Sequence, residues 1–109
     1  MAEPTLQEVF GSFATQSDVA LTINKSNLAE VGLTPANDNS AEALLAAIIA
    51  LAQQYLTLTN QDSNPDQSIT IDDGLPSLIT RSDNTYRQIS KTINFEKLDT
   101  QTDFDPDDY

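Results

Sequence analysis

The strongest periodic signal lies between residues 40 and 56. Leu44, Ile48, Leu51 and Tyr55 recur at helical spacing and form one apolar stripe. Leu45, Ile49, Ala52 and Leu56 form a second beside it, while Ala43, Ala47 and Ala50 make a smooth face where another backbone can come close. The spacing predicts a helix over 41–57, capped by Asn39 or Ser40, with Glu42 placed three residues after Asn39 as in a capping box. A helix apolar on nearly every side is expected to be buried on several sides, one of them covered by another subunit.

Elsewhere the period is two. Val19, Leu21 and Ile23 alternate with Ala20, Thr22 and Asn24, which predicts a half-buried strand over 19–25. Ile69 and Ile71 alternate with Thr70 and Asp72, a strand over 68–72, and Leu78 and Ile79 mark a short one over 77–81. Residues 85–97 read as the longest strand, with Arg87, Ile89, Lys91, Ile93, Phe95 and Lys97 on one face. Turns are expected across 26–39, at Asp73-Gly74-Leu75-Pro76 and at Ser82-Asp83-Asn84, and a polar loop over 59–67. Thr5 and Glu8 have capping-box spacing for a short helix from Leu6 to Phe10, which Gly11 would end.

These elements predict an α+β fold: one central buried helix packed on a small, mostly antiparallel sheet. Residues 1–18 would be an N-terminal arm or short helix, 19–98 a single α+β domain, and 99–109 an acidic C-terminal arm.

Composition narrows the function. Leu, Ile, Val and Phe make up 27 of the 109 residues, enough for a core but a thin one. Thr, Ser, Asn and Gln make up a third of the chain, which favours strands and turns over surface helices. There is no Cys and no His, so disulfides, thiolate nucleophiles, imidazole bases and zinc–histidine sites are excluded. A net charge of −12 opposes attraction to nucleic-acid phosphate or an anionic membrane. No phosphate-binding or nucleophile-elbow motif occurs, and no enzyme activity and no cofactor are expected. The N-terminus lacks a signal-peptide pattern, and the longest apolar run, Ala43 to Ala52, is too short to span a bilayer. A cytoplasmic protein, or a component of a particle assembled there, is the expectation.

Three constellations carry candidate chemistry. Asp62, Asn64, Asp66, Ser68 and Asp73 fall at positions 1, 3, 5, 7 and 12 of a calcium loop. Against calcium, Gln67 stands where the sharp turn needs Gly, Asp73 is short for a bidentate ligand, and Leu75-Pro76 blocks an exit helix. A solvated polar loop is the alternative. The second constellation is Asp103, Phe104, Asp105 and Tyr109. Aromatics among acids suit docking on a basic, apolar groove of a partner; the alternative is a disordered acidic terminus. The third is the basic cluster of Arg81, Arg87, Lys91 and Lys97. It either receives an acidic tail, such as that of a neighbouring copy, or protects an edge strand from aggregation.

Phe10-Gly11, Ala14-Thr15-Gln16, the run from Leu21 to Leu28, Gly32-Leu33-Thr34-Pro35 and the run from Asn39 to Leu45 resemble small proteins of phage and prophage-like gene clusters, notably cyanobacterial ones. A looser echo runs from Pro65-Asp66-Gln67 to Arg87, and the acidic tail has no counterpart. The resemblance implies a virion structural component, without a catalytic motif to carry over. The expected function is therefore a non-enzymatic subunit of a phage-type virion (head, neck or tail), whose partners are other subunits and copies of itself. Two alternatives are an acidic mimic of nucleic acid that inhibits a DNA- or RNA-binding enzyme, and a calcium-dependent binding module.

Overall fold

The computed structural model describes residues 3–99 and 103–109. The chain is α+β, with one long central helix and small antiparallel sheets. The expected elements are present in altered form. The predicted helix 41–57 is α3, Ala41–Gln53. Ser40 caps it, its Oγ accepting from Ala43 N at 3.1 Å. Asn39 instead closes the preceding turn, accepting from Ala36 N and donating to Thr34 O.

The two stripes of α3 serve two separate cores. Ala47 and Leu51 pack with Leu28, and Ile23, Val31, Leu33, Leu44 and Ile48 surround them. Ala52 joins Leu56 and Ile71, flanked by Val9, Ile49 and Ile69. The N-terminal end of the second stripe stays open, with Leu45 58% exposed. The stretch Ala41–Ser63 is apolar enough to cross a membrane by composition, with mean hydropathy 1.5 over its best window. However, the helix breaks after Gln53, and a 13-residue helix rises about 20 Å, short of the ~30 Å hydrocarbon core.

On the first core lies α2 (Lys25–Leu28), continued by a 3-10 turn over Ala29–Val31, while α1 (Leu6–Phe10) packs along α3 and brings Val9 to the second. The Thr5–Glu8 capping box forms as the spacing predicts. Gly11 ends α1 with φ +105°, and a Cβ there would sit 2.5 Å from Asn27. The close neighbour explains the glycine. Asn27 is buried, donates to Ser12 Oγ and Glu30 Oε2, and accepts from Phe13 N. The expected strand 19–25 is reduced to β2 (Leu21–Thr22), paired with β1 (Thr15–Gln16). The Ser17 hydroxyl turns the chain at Val19–Ala20, and Asn24 leaves the strand to cap α2.

The expected loop 59–67 contains a further helix, α4 (Leu58–Ser63), which carries no apolar stripe. Thr57 Oγ1 accepts from Asn60 N to cap it. Beyond it, the Gln67 amide is buried and fully engaged. It accepts from Asn60 Nδ2 at 2.7 Å and donates to Thr57 O and Ile69 O at 3.0 and 2.8 Å.

The predicted strand 85–97 is two strands. β3 (Ile69–Asp73) pairs with β6 (Lys91–Phe95), and β4 (Ser77–Arg81) pairs with β5 (Asn84–Gln88). Between the two ribbons, Gly74-Leu75-Pro76 faces Ile89-Ser90, three residues against two. Pro76 has no N–H to offer a ladder, and Gly74 N instead donates to Ser90 O at 2.7 Å. Among the described residues the expected single sheet is thus three two-stranded ribbons, of which β3–β6 leans on α3.

Candidate functional site

The β3–β6 ribbon is held from several sides. Ile71 is buried against Ala52 and Leu56, and its N–H donates to Leu56 O at 2.8 Å. At the ribbon's far end Lys91 Nζ meets Asp73 Oδ1 at 2.7 Å and Gln53 Oε1 at 2.6 Å, while Gln53 Nε2 donates to Asp73 at 3.1 Å. This clamp ties the last turn of α3 to both strands. The Lys91 and Gln53 hydrogen bonds, with the Lys91 charge, hold the Asp73 carboxyl below its usual range.

Residues 103–109 fold back onto the other end of the same ribbon. Asp105 caps a 3-10 turn over Pro106–Asp108 by accepting from Asp107 N. Phe104 and Tyr109 meet the Phe95 ring edge-on, at centroid distances of 5.1 and 5.4 Å, and stack on each other at 5.6 Å. Lys97 Nζ pairs with Asp108 Oδ2 at 2.6 Å and donates to Asp103 O at 3.4 Å. The Asp108 hydrogen bond raises the Lys97 pKa above its usual value. Tyr109 also enters the wall of a cleft of about 400 Å³ shared with Leu6, Val9, Leu56 and Ile69. Aromatics and acid have therefore found a basic, apolar surface, as their chemistry suggested, but within their own chain. Residues 100–102 of the expected arm lie outside the described residues.

The β4–β5 ribbon has no comparable support. All ten of its residues are exposed, and among the described residues no third strand pairs with either edge. Leu78 is 65% exposed, and the flanking Leu75 and Ile89 are 91% and 70% exposed. Its turn places two non-glycine residues at positive φ, Ser82 at 51° and Asp83 at 66°. Arg81 lies over the Tyr86 ring, 4.4 Å from its centroid. Arg87 stands opposite Leu78. The basic cluster read along one strand is thus divided: Lys91 and Lys97 are engaged around β6, and Arg81 and Arg87 sit on the exposed ribbon.

The calcium-loop residues are not gathered. Asp62 lies on α4, Asn64 terminates that helix, and Asp73 lies at the end of β3 in the Lys91 clamp. Gln67, the residue that broke the calcium pattern, is instead the buried amide around which the 57–69 segment closes. Among the described residues no group of three or more His, Cys, Asp or Glu side chains could hold a metal ion. Gln67 and Asn27 are the structurally decisive side chains that periodicity did not single out; a lone amide carries no signal of burial.

No family model matches the chain, and neither a curated protein nor a solved structure matches it significantly.

Proposed function

We propose that the chain is a non-enzymatic structural subunit of a phage-type virion, in the head, neck or tail, assembled in the host cytoplasm beside other subunits and copies of itself. What carries this reading is the β4–β5 ribbon, a two-stranded element exposed on both faces. Such a ribbon is marginal in water on its own and gains stability from a third strand or a packed face. The overall shape agrees: the radius of gyration is 16.2 Å, against about 13 Å for a compact chain of this length, and the longest extent is 47 Å. The thin double core and the open end of the second stripe of α3 also suit a subunit stabilised by neighbours. The phage-type assignment rests on the resemblance of the first half of the sequence. The acidic-mimic alternative requires the carboxylates on one face, and they are carried by α1, α3, α4, β3 and the C-terminal segment.

The test is solution mass against concentration, together with a search for the chain in purified particles. Concentration-dependent assembly and incorporation are expected. A chain that stays monomeric at high concentration and never enters particles would overturn the reading.

A further inference from the structure

We propose that the occupant of the β4–β5 ribbon is the acidic C-terminal segment of a second copy, so that copies join head to tail. This inference rests on the assembly reading above and names the contact that would carry it.

The charge distribution picks out the partner. Arg81 and Arg87 against Asp83 leave residues 75–90 with a small positive charge, on a chain of net −12. The three lysines are all engaged within the chain: Lys25 Nζ donates to Ala36 O at 2.7 Å, Lys91 is in the Asp73 clamp, and Lys97 holds Asp108. Among the described residues, neither arginine has a hydrogen-bond or carboxylate partner, and only Arg81 has a neighbouring ring. Apart from Lys25, whose ammonium meets a carbonyl oxygen, the positive charge without a carboxylate partner among the described residues lies on the exposed β4–β5 ribbon.

The complementary surface is carried by the same chain. Folding back turns Phe104 and Tyr109 toward Phe95 and commits Asp108 to Lys97. Asp103, Asp105 and Asp107 remain exposed, and among the described residues none of the three lies within ion-pair distance of a lysine or arginine. A second copy thus offers a row of carboxylates beside the half-exposed Phe95–Phe104 rings, matching two arginines beside Leu78, Ile79 and Tyr86. Ribbon-to-ribbon pairing would instead set like charges together, and nucleic acid would face the acidic remainder of the chain. The two surfaces differ, so the contact is heterologous and does not close on itself unless the rotation happens to form a ring. Each exposed charge pair contributes little alone, so the association should be weak, sensitive to salt and dependent on many repeats.

The experiment is light scattering on the full chain over a concentration series, in low salt and in ~0.5 M salt. Two charge-swapped variants are compared, R81E/R87E and D103K/D107K. The second spares the Asp105 cap and the Lys97–Asp108 pair, and circular dichroism confirms that both fold. The wild type is expected to grow in mass with concentration at low salt and to dissociate at high salt. Each variant alone should associate about tenfold more weakly or worse, and an equimolar mixture should regain assembly, because each supplies the charge the other lacks. Variants that assemble like the wild type, or a mixture that fails to recover, would overturn the contact while leaving assembly intact. A mass that stops at a dimer and does not respond to D103K/D107K would replace it with ribbon-to-ribbon pairing. A wild type that never leaves the monomer would overturn the assembly reading itself.

Discussion

β3–β6 and β4–β5 are two ribbons of equal length and the same antiparallel pairing, drawn from one continuous stretch of chain. Their fates differ. The first buries Ile71, is clamped by Lys91, Asp73 and Gln53, and is covered at its end by Phe104 and Tyr109. The second buries nothing and holds a turn with two left-handed non-glycine residues. Alternation specifies that a strand forms, while what packs on its faces decides whether the chain can hold it alone.

The largest expected effect comes from removing support where it exists. Ile71→Ala should cost about 2–4 kcal/mol, enough to unfold much of a thin-cored protein, whereas Leu78→Ala should stay within about 0.5 kcal/mol. Urea unfolding of both variants checks the contrast, and equal costs would abolish it. Next is the amide that closes 57–69. Gln67→Leu removes the bonds it makes to Thr57 O, Ile69 O and the Asn60 amide, at about 1–3 kcal/mol, although Thr57 O keeps its bond from Gln61 N. Thermal melting reads this out. Replacing Ser82-Asp83 by Asn-Gly should stabilise the exposed ribbon by about 1 kcal/mol, since those residues suit positive φ at both positions. Slower amide exchange confined to 77–88 is the expected signature.

The smallest effects are electrostatic, and their signs differ at the two ends of β3–β6. Asp73 has a lowered pKa, so its contribution is present above its ordinary value near 3.8 and is lost as pH falls through the lower folded value. Lys97 has a raised pKa, so its contribution is present below its ordinary value near 10.5 and is lost as pH rises through the higher folded value. Asp73→Asn should flatten the acid limb and Lys97→Met the alkaline limb, in stability measured against pH.

Much of the helical part was legible in the sequence because it rests on local chemistry. Ser40 starts α3, Thr5 and Glu8 box α1, and the two stripes of α3 map onto the two cores. What periodicity could not convey was long-range. The strand over 85–97 reads as continuous because its own alternation never falters; it is divided by Gly74-Leu75-Pro76 across from it. α4 was hidden because a side-chain cap and polar contacts hold it, with no apolar stripe to reveal it. The affinity of an acidic, aromatic segment for a basic, apolar surface was legible as chemistry. That its own Phe95 and Lys97 provide such a surface depends on how the chain turns back.

The most direct measurement is hydrogen exchange of the full chain at low and high protein concentration in low salt. Amides of β4 and β5 should exchange rapidly in the dilute sample and become protected in the concentrated one, while those of β3 and β6 stay protected in both. A β4–β5 ribbon as protected as β3–β6 when dilute, and unchanged on concentration, would contradict both its lack of support and its role in assembly.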